Sequence, residues 1–251
     1  MQTLSAQKMK LVAIGLAIML AHGPGGCHAP LATRSTRWHE AYSYVSAFPP
    51  IVFHYDHGML AGSYPEGVET VGVEFDDVCA QLGHVCLCGA GGFRIAGEVA
   101  QALRGANDPL ERGDFILISS RDHAVSDAIA FVLGCSRRTD PEHSQYFIDD
   151  SITAPPREYH YYIAYVPDRT AVHVVYRKHL LIGNDEMDKL WEIELAFDRA
   201  PDSVSPEDAN RYRKAMRRMV QDVLFNRVPG LITIEPLAYG DFQQRLEAVR
   251  G

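Results

Sequence analysis

The stretch Gly83-His84-Val85-Cys86-Leu87-Cys88-Gly89-Ala90-Gly91-Gly92-Phe93-Arg94 sets one imidazole and two thiols just ahead of a glycine-rich run. On an extended backbone His84 and Cys86 point to the same side, so both can reach one ion. Imidazole nitrogen and thiolate sulfur are the donors that zinc and its neighbours prefer. A glycine-rich turn leading into a helix lets a ligand approach the backbone closely. A helix N-terminus also favours the thiolate form of a nearby cysteine. Without a ligand, the same stretch reads as the buried, small-residue start of a helix.

The chain has five cysteines: Cys27, Cys79, Cys86, Cys88 and Cys135. With Cys27 set aside in the N-terminal segment, the other four allow three disulfide pairings. A bond between Cys86 and Cys88 would be strained by their spacing. Cys79 with Cys86 or Cys88 stays open, and ligation of a metal competes with it on equal terms. His123 precedes a helical pattern, and Asp127 within that pattern can orient a ligand histidine or bond a turn. His54, Asp56 and His57 form a second polar cluster that reads as a loop. His160, His173 and His179 belong to a strand-rich region, where alternation could set them along a cleft, with surface placement as the plainer reading. No nucleophile–base pair is evident. No clear strand precedes Gly89-Ala90-Gly91-Gly92, so the run is not a dinucleotide loop.

These residues must be positioned by a mixed set of elements. Residues 38–46 suggest a short helix, 51–55 a strand, and 58–72 a loop broken by Gly and Pro. A helix is expected over 76–81 with Asp76 or Asp77 as cap. Apolar spacing at Ile95, Val99 and Leu103 predicts a helix over 93–104. The run 115–119 reads as a buried strand. Residues 126–133 return to helix, stopped by Gly134. Residues 159–166 and 170–177 form a hairpin turned at Pro167-Asp168-Arg169. Ser205-Pro206-Glu207-Asp208 begins a helix running to about 225, and 231–234 is a last strand. The mixture predicts an α+β fold, an antiparallel sheet with packed helices.

Composition bounds the partners. Of 251 residues 47% are hydrophobic and 22% charged, as in soluble domains, and the formal net charge is -8. Nucleic acid is not the expected partner, since phosphate binding needs a basic face. The one basic cluster (Arg211, Arg213, Lys214, Arg217 and Arg218) fits the solvated side of a helix. Lys8 and Lys10 precede an apolar run over 11–21, too short for a bilayer span. Residues 1–32 therefore read as a secretory segment, and 33–251 as the mature domain. Small residues before Cys27 allow a lipoprotein site there, and hence membrane attachment through the N-terminus. Ordinary cleavage near Ala29 or Ala32, or an uncleaved apolar helix, are the alternatives. The expected location is exported: periplasmic or membrane-anchored.

Gly83-His84-Val85-Cys86 followed by Gly92-Phe93-Arg94-Ile95-Ala96 resembles the Gly-His-x-Cys-Pro-Gly…Gly-x-Arg-x-Ala signature of the FmdE family. That family takes its name from a component of molybdenum formylmethanofuran dehydrogenase. Ser126-Asp127-Ala128-Ile129 and Gly134-Cys135-Ser136 resemble its Cys-x-Val-Asp-Ala-Ile…Gly-Cys-Thr block. The likeness spans about 76–237. It implies an FwdE-like domain with a divalent transition metal, zinc first, on His84, Cys86 and Cys135. Departures are informative: Leu82 replaces the family's first histidine, Leu87-Cys88 its Pro-Gly, and Ala124 a cysteine, with His123 beside it. His123 and Cys88 are the candidates to fill these positions, and the family's C-terminal zinc ribbon is absent. The expected function is a metal-binding accessory protein for a redox or metal-handling system. A metal-dependent enzyme with an open coordination position, or a disulfide-held domain without metal, are the alternatives. The hairpin edge leaves a homodimer open.

Overall fold

The computed structural model describes residues 38–104 and 109–251. The segment expected to direct export, 1–32 with Cys27, lies outside the described residues.

Two sheets are present among these residues. Strands β1 (Ile51–His54) and β2 (Thr70–Val73) pair antiparallel. The larger sheet has five strands in the order β4-β3-β5-β6-β7: β3 (Phe115–Ser119), β4 (Tyr146–Ile148), β5 (Glu158–Tyr165), β6 (Thr170–Arg177) and β7 (Ile232–Leu237). The fold is α+β, but this sheet is mixed and not purely antiparallel. β3 and β4 run parallel because helix α4 (Val125–Leu133) lies between them and returns the chain to the same end. The hairpin β5–β6 forms where expected, with Arg169 at φ 52 in its turn.

Period-two alternation gives the sheet two apolar faces. Tyr161 and Ile163 of β5 and Val172, Val174 and Tyr176 of β6 face the main core, all buried. Helix α3 (Leu87–Ala102) packs there with α4, and helix α6 (Pro206–Leu224) lies against α3. Ile118, Ala164 and Ala171 face the other way, under Phe242 and Leu246 of helix α7 (Tyr239–Arg250). Those two residues are four apart, so one helix face carries both, and burying each contributes about 2 kcal/mol.

Helix α2 (Phe75–Leu82) starts one residue earlier than its sequence suggests. Its cap is Glu74, in a reciprocal box with Asp77, so Asp76 and Asp77 lie inside the first turn. Residues 58–72 are less irregular than expected: α1 (Asp56–Leu60) and β2 occupy both ends. Over 38–46 the regular structure is a short 3-10 turn, Val45–Ala47.

The largest departure concerns the glycine-rich run, which lies within α3 and not in a turn before it. Its glycines allow close approach. A Cβ on Gly92 would sit 2.8 Å from the Val125 carbonyl oxygen, and one on Gly91 2.9 Å from the Tyr176 ring. Helix α5 (Asn184–Arg199) was not legible in the pattern, and neither were β4 and α7.

Candidate functional site

Gly83 ends α2 in the left-handed region, at φ 80. The chain then extends, and Cys86 caps α3 at φ -146 and ψ 170. Its Sγ accepts the Gly89 N–H at 3.4 Å. Cys88 lies in the first turn, and its thiol beside that sulfur is the main reason the Cys86 thiol is lowered to about 7. Backbone N–H groups of the helix start and the charge of Lys178 act in the same direction, while burial opposes them. The Cys88 thiol is pushed up, first by that contact with Cys86 and then by burial. The start of α3 thus pairs one thiol of lowered pKa, Cys86, with one of raised pKa, Cys88.

His123 completes this group. Its Nδ1 stands 3.5 Å from Cys88 Sγ. The contact with Cys88 raises the imidazole pKa, against the opposing pull of burial. His123 sits on the loop from β3 to α4, and that loop is pinned by its neighbour. Asp122 Oδ2 accepts from Ser126 N–H and from Tyr161 O–H, each at 2.9 Å, and Oδ1 accepts from Ser126 Oγ at 2.9 Å. Burial raises the Asp122 carboxyl. Trp191 of α5 meets the His123 ring edge-on, with centroids 6.2 Å apart.

His84 is exposed, and its Nδ1–H donates to the Leu82 carbonyl at 3.0 Å, which leaves Nε2 as the free nitrogen. His84, Cys86, Cys88 and His123 all line one cavity of about 740 Å³. Its other walls include Tyr42, Tyr159, Met187, Trp191, Tyr212 and Met216, with Lys178, Arg157 and Glu194 as polar groups. The volume is within the range of small-molecule and cofactor sites.

Cys135 stands apart. It follows Gly134 at the C-terminal end of α4, buried, with Sγ donating to the Phe115 carbonyl at 3.5 Å. Burial pushes its thiol up to about 12. His123 lies at the opposite end of the same nine-residue helix, a rise of about 13 Å. The structure thus gathers four of the five candidate ligands and separates Cys135 from them. Cys79 is buried on α2, and burial pushes its thiol up strongly. All four described cysteines are free thiols, so no disulfide links Cys79 to Cys86 or Cys88. Among the described residues, no three His, Cys, Asp or Glu side chains already stand in the arrangement that holds an ion.

Most of the remaining candidates have structural partners, whereas the buried Nδ1 of His179 has none among the described residues. Asp127 accepts from Tyr146 O–H at 3.1 Å and does not reach a histidine. His54 Nδ1 contacts the Glu69 carbonyl at 2.8 Å, and the Asp56 N–H donates to Glu111. His160 and His173 lie 2.9 Å apart through Nδ1 and Nε2, with His173 stacked on Tyr162, across the sheet from the cavity. The basic residues of α6 are exposed, and Arg211 pairs with Glu186.

Sequence reasoning missed Lys178, Trp191 and Glu194. Lys178 follows the last strand residue of the hairpin, and the other two belong to α5. Tyr212, Met216 and Met219 of α6 were findable, as an apolar stripe at helical spacing opposite the basic face. No family model, no curated protein and no solved structure matches the chain.

Proposed function

We propose that this chain binds a divalent transition metal, zinc first, through Cys86, Cys88 and His123, with His84 at the rim. One observation carries the reading. The 3.5 Å between Cys88 Sγ and His123 Nδ1 matches the ligand–ligand edge, about 3.5 Å, of a tetrahedral site with ordinary Zn–S and Zn–N bonds. The donor set suits the ion as well: the Cys86 thiol is lowered to about 7, so it gives up its proton readily near neutral pH, and binding of the ion would displace the proton of Cys88. Gathering the donors around one ion needs rotation of the exposed His123 or His84 ring. Cys135 has no part in this set.

The motif likeness to the FmdE family supports the same reading, through His84 and Cys86. It makes the role an accessory one, in a redox or metal-handling system outside the cytoplasm. Attachment to a membrane through the N-terminal segment belongs to that proposal.

The adjoining cavity favours a second reading, a metal-dependent enzyme. A bound zinc with one open position would supply Lewis acidity and a water of lowered pKa. The chain's own part would be to hold a substrate between α5 and α6 and to keep water from the thiolates.

Elemental analysis decides between metal and no metal. Protein purified without chelator or histidine tag is expected to carry about one ion per chain, and Cys86→Ser to lose it. A metal-free parent protein that also fails to take up zinc on addition would overturn the proposal.

A further inference from the structure

Most charges around the cavity are matched. Arg157 bonds Asn184 at 3.1 Å and pairs with Asp188. Arg121 makes two bonds to Asp150, at 3.1 and 2.7 Å. Glu194 accepts from Tyr212 O–H at 3.1 Å, and Asp122 is held by Ser126 and Tyr161. Lys178 is half-buried on the cavity wall, and no carboxylate among the described residues pairs with it. Its backbone N–H is held by the Arg157 carbonyl at 2.9 Å, which fixes where the side chain starts. Its charge acts on the Cys86 thiol, but no carboxylate among the described residues accepts a hydrogen bond from it, and an incoming carboxylate would supply charge-assisted hydrogen bonds to this half-buried ammonium. The aromatic part of the wall is flat and apolar.

We propose that this cavity binds an organic carboxylate, with its apolar body against Trp191, Tyr159 and Tyr212 and its carboxylate on Lys178 Nζ. A single ammonium suits a singly charged head group. Of the other cations on the wall, Arg121 and Arg157 are already engaged by carboxylates and Arg213 contacts Asn210 at 3.5 Å, so a phosphate, which calls for several donors, would have to draw them away from those partners. The area of the aromatic walls makes the apolar body, not the charge alone, a main source of affinity. The inference stands on the cavity and on Lys178, and it does not need the metal.

The test uses the full chain, stripped of metal and desalted, and reads Trp191 fluorescence. The only other tryptophan, Trp38, is buried beside Asp76 away from the cavity. Phenylbutyrate, its neutral amide, acetate and inorganic phosphate are each titrated. Phenylbutyrate is expected to bind at least about tenfold more tightly than each of the others, a difference of about 1.4 kcal/mol. Lys178→Met should bring phenylbutyrate down to the amide, and Lys178→Arg should retain the preference. Equal binding of acid and amide would overturn the proposal, as would tighter binding of phosphate or an unchanged preference in Lys178→Met. Because the protein is metal-free throughout, these outcomes are independent of metal content.

Discussion

The Cα of Gly92 faces Ala128 so closely that a methyl group there would lie 2.4 Å from the Ala128 Cβ. This contact sets the spacing of α3 and α4, and so the distance from Cys88 to His123. Gly92→Ala is expected to destabilise the fold by about 2–3 kcal/mol, because two of the obstacles, the Val125 carbonyl oxygen and the Ile129 nitrogen, are backbone and cannot move aside. Gly97→Ala is the control. There the nearest atom is the end of the Ile51 side chain, at 3.3 Å. It should be neutral, or stabilising by up to about 1 kcal/mol through helix propensity. Denaturant midpoints of the two variants measure the difference; equal effects would remove Gly92 from this role.

The separation of Cys135 from the other thiols predicts a clean split in metal content. Cys86→Ser and Cys88→Ser should each lower bound metal, while Cys135→Ala should leave it intact and cost only about 1 kcal/mol of stability. Loss of metal in Cys135→Ala, with the fold retained by circular dichroism, would contradict the placement of the site at the start of α3.

The thiols should also separate by pH. In metal-free protein, alkylation of Cys86 by iodoacetamide should rise through a midpoint at about 7. Cys79 and Cys135 should react only on unfolding, since burial raises both thiols. Because the folded pKa of Cys86 lies below its unfolded value, its stabilising contribution is full above the ordinary thiol range. That contribution is lost as pH falls through about 7. Cys88→Ala removes the leading cause of the depression and should move the midpoint upward. A midpoint that stays put, read by mass spectrometry of alkylated peptides, would assign the effect to the helix terminus alone.

Tyr176 offers a fourth test. Its hydroxyl is buried against Gly91 and has no hydrogen-bond partner among the described residues. Tyr176→Phe should therefore be as stable as the parent, or more stable by up to about 1 kcal/mol. A loss of stability in urea unfolding would mean that the hydroxyl holds a partner after all.

Local signals with strong chemistry could be read from the chain. Ser205 caps α6 as its Ser-Pro-Glu-Asp start requires, Gly134 ends α4, and the hairpin turns at its Pro-Asp-Arg. Of the candidate site, His84 and Cys86 stand out by residue type and spacing, while His123 and Cys88 enter through the places the family resemblance leaves open. Cys135 carried the same chemical signal, but spacing along the chain does not reveal which end of a helix a thiol occupies. The glycine run misled because glycine serves turns and close helix contacts alike, and only the partner, Ala128 here, tells them apart. Helix α5 was missed since just Met187 and Leu190 of its side chains are buried, so its apolar period is faint. The parallel strand β4 has three residues, too few for a pattern.

That shallow burial of α5 has a dynamic consequence. Helix α3 buries eleven of its sixteen residues, whereas α5, of equal length, buries two. Cooperative units with little buried apolar area open at lower free energy than the rest of a fold. Amide hydrogens of α5 should therefore exchange with solvent deuterium well before those of α3. The thiolate helix is the rigid side of the cavity and the tryptophan helix the compliant one, so solute exchange would occur past Trp191 while Cys86 and Cys88 keep their places.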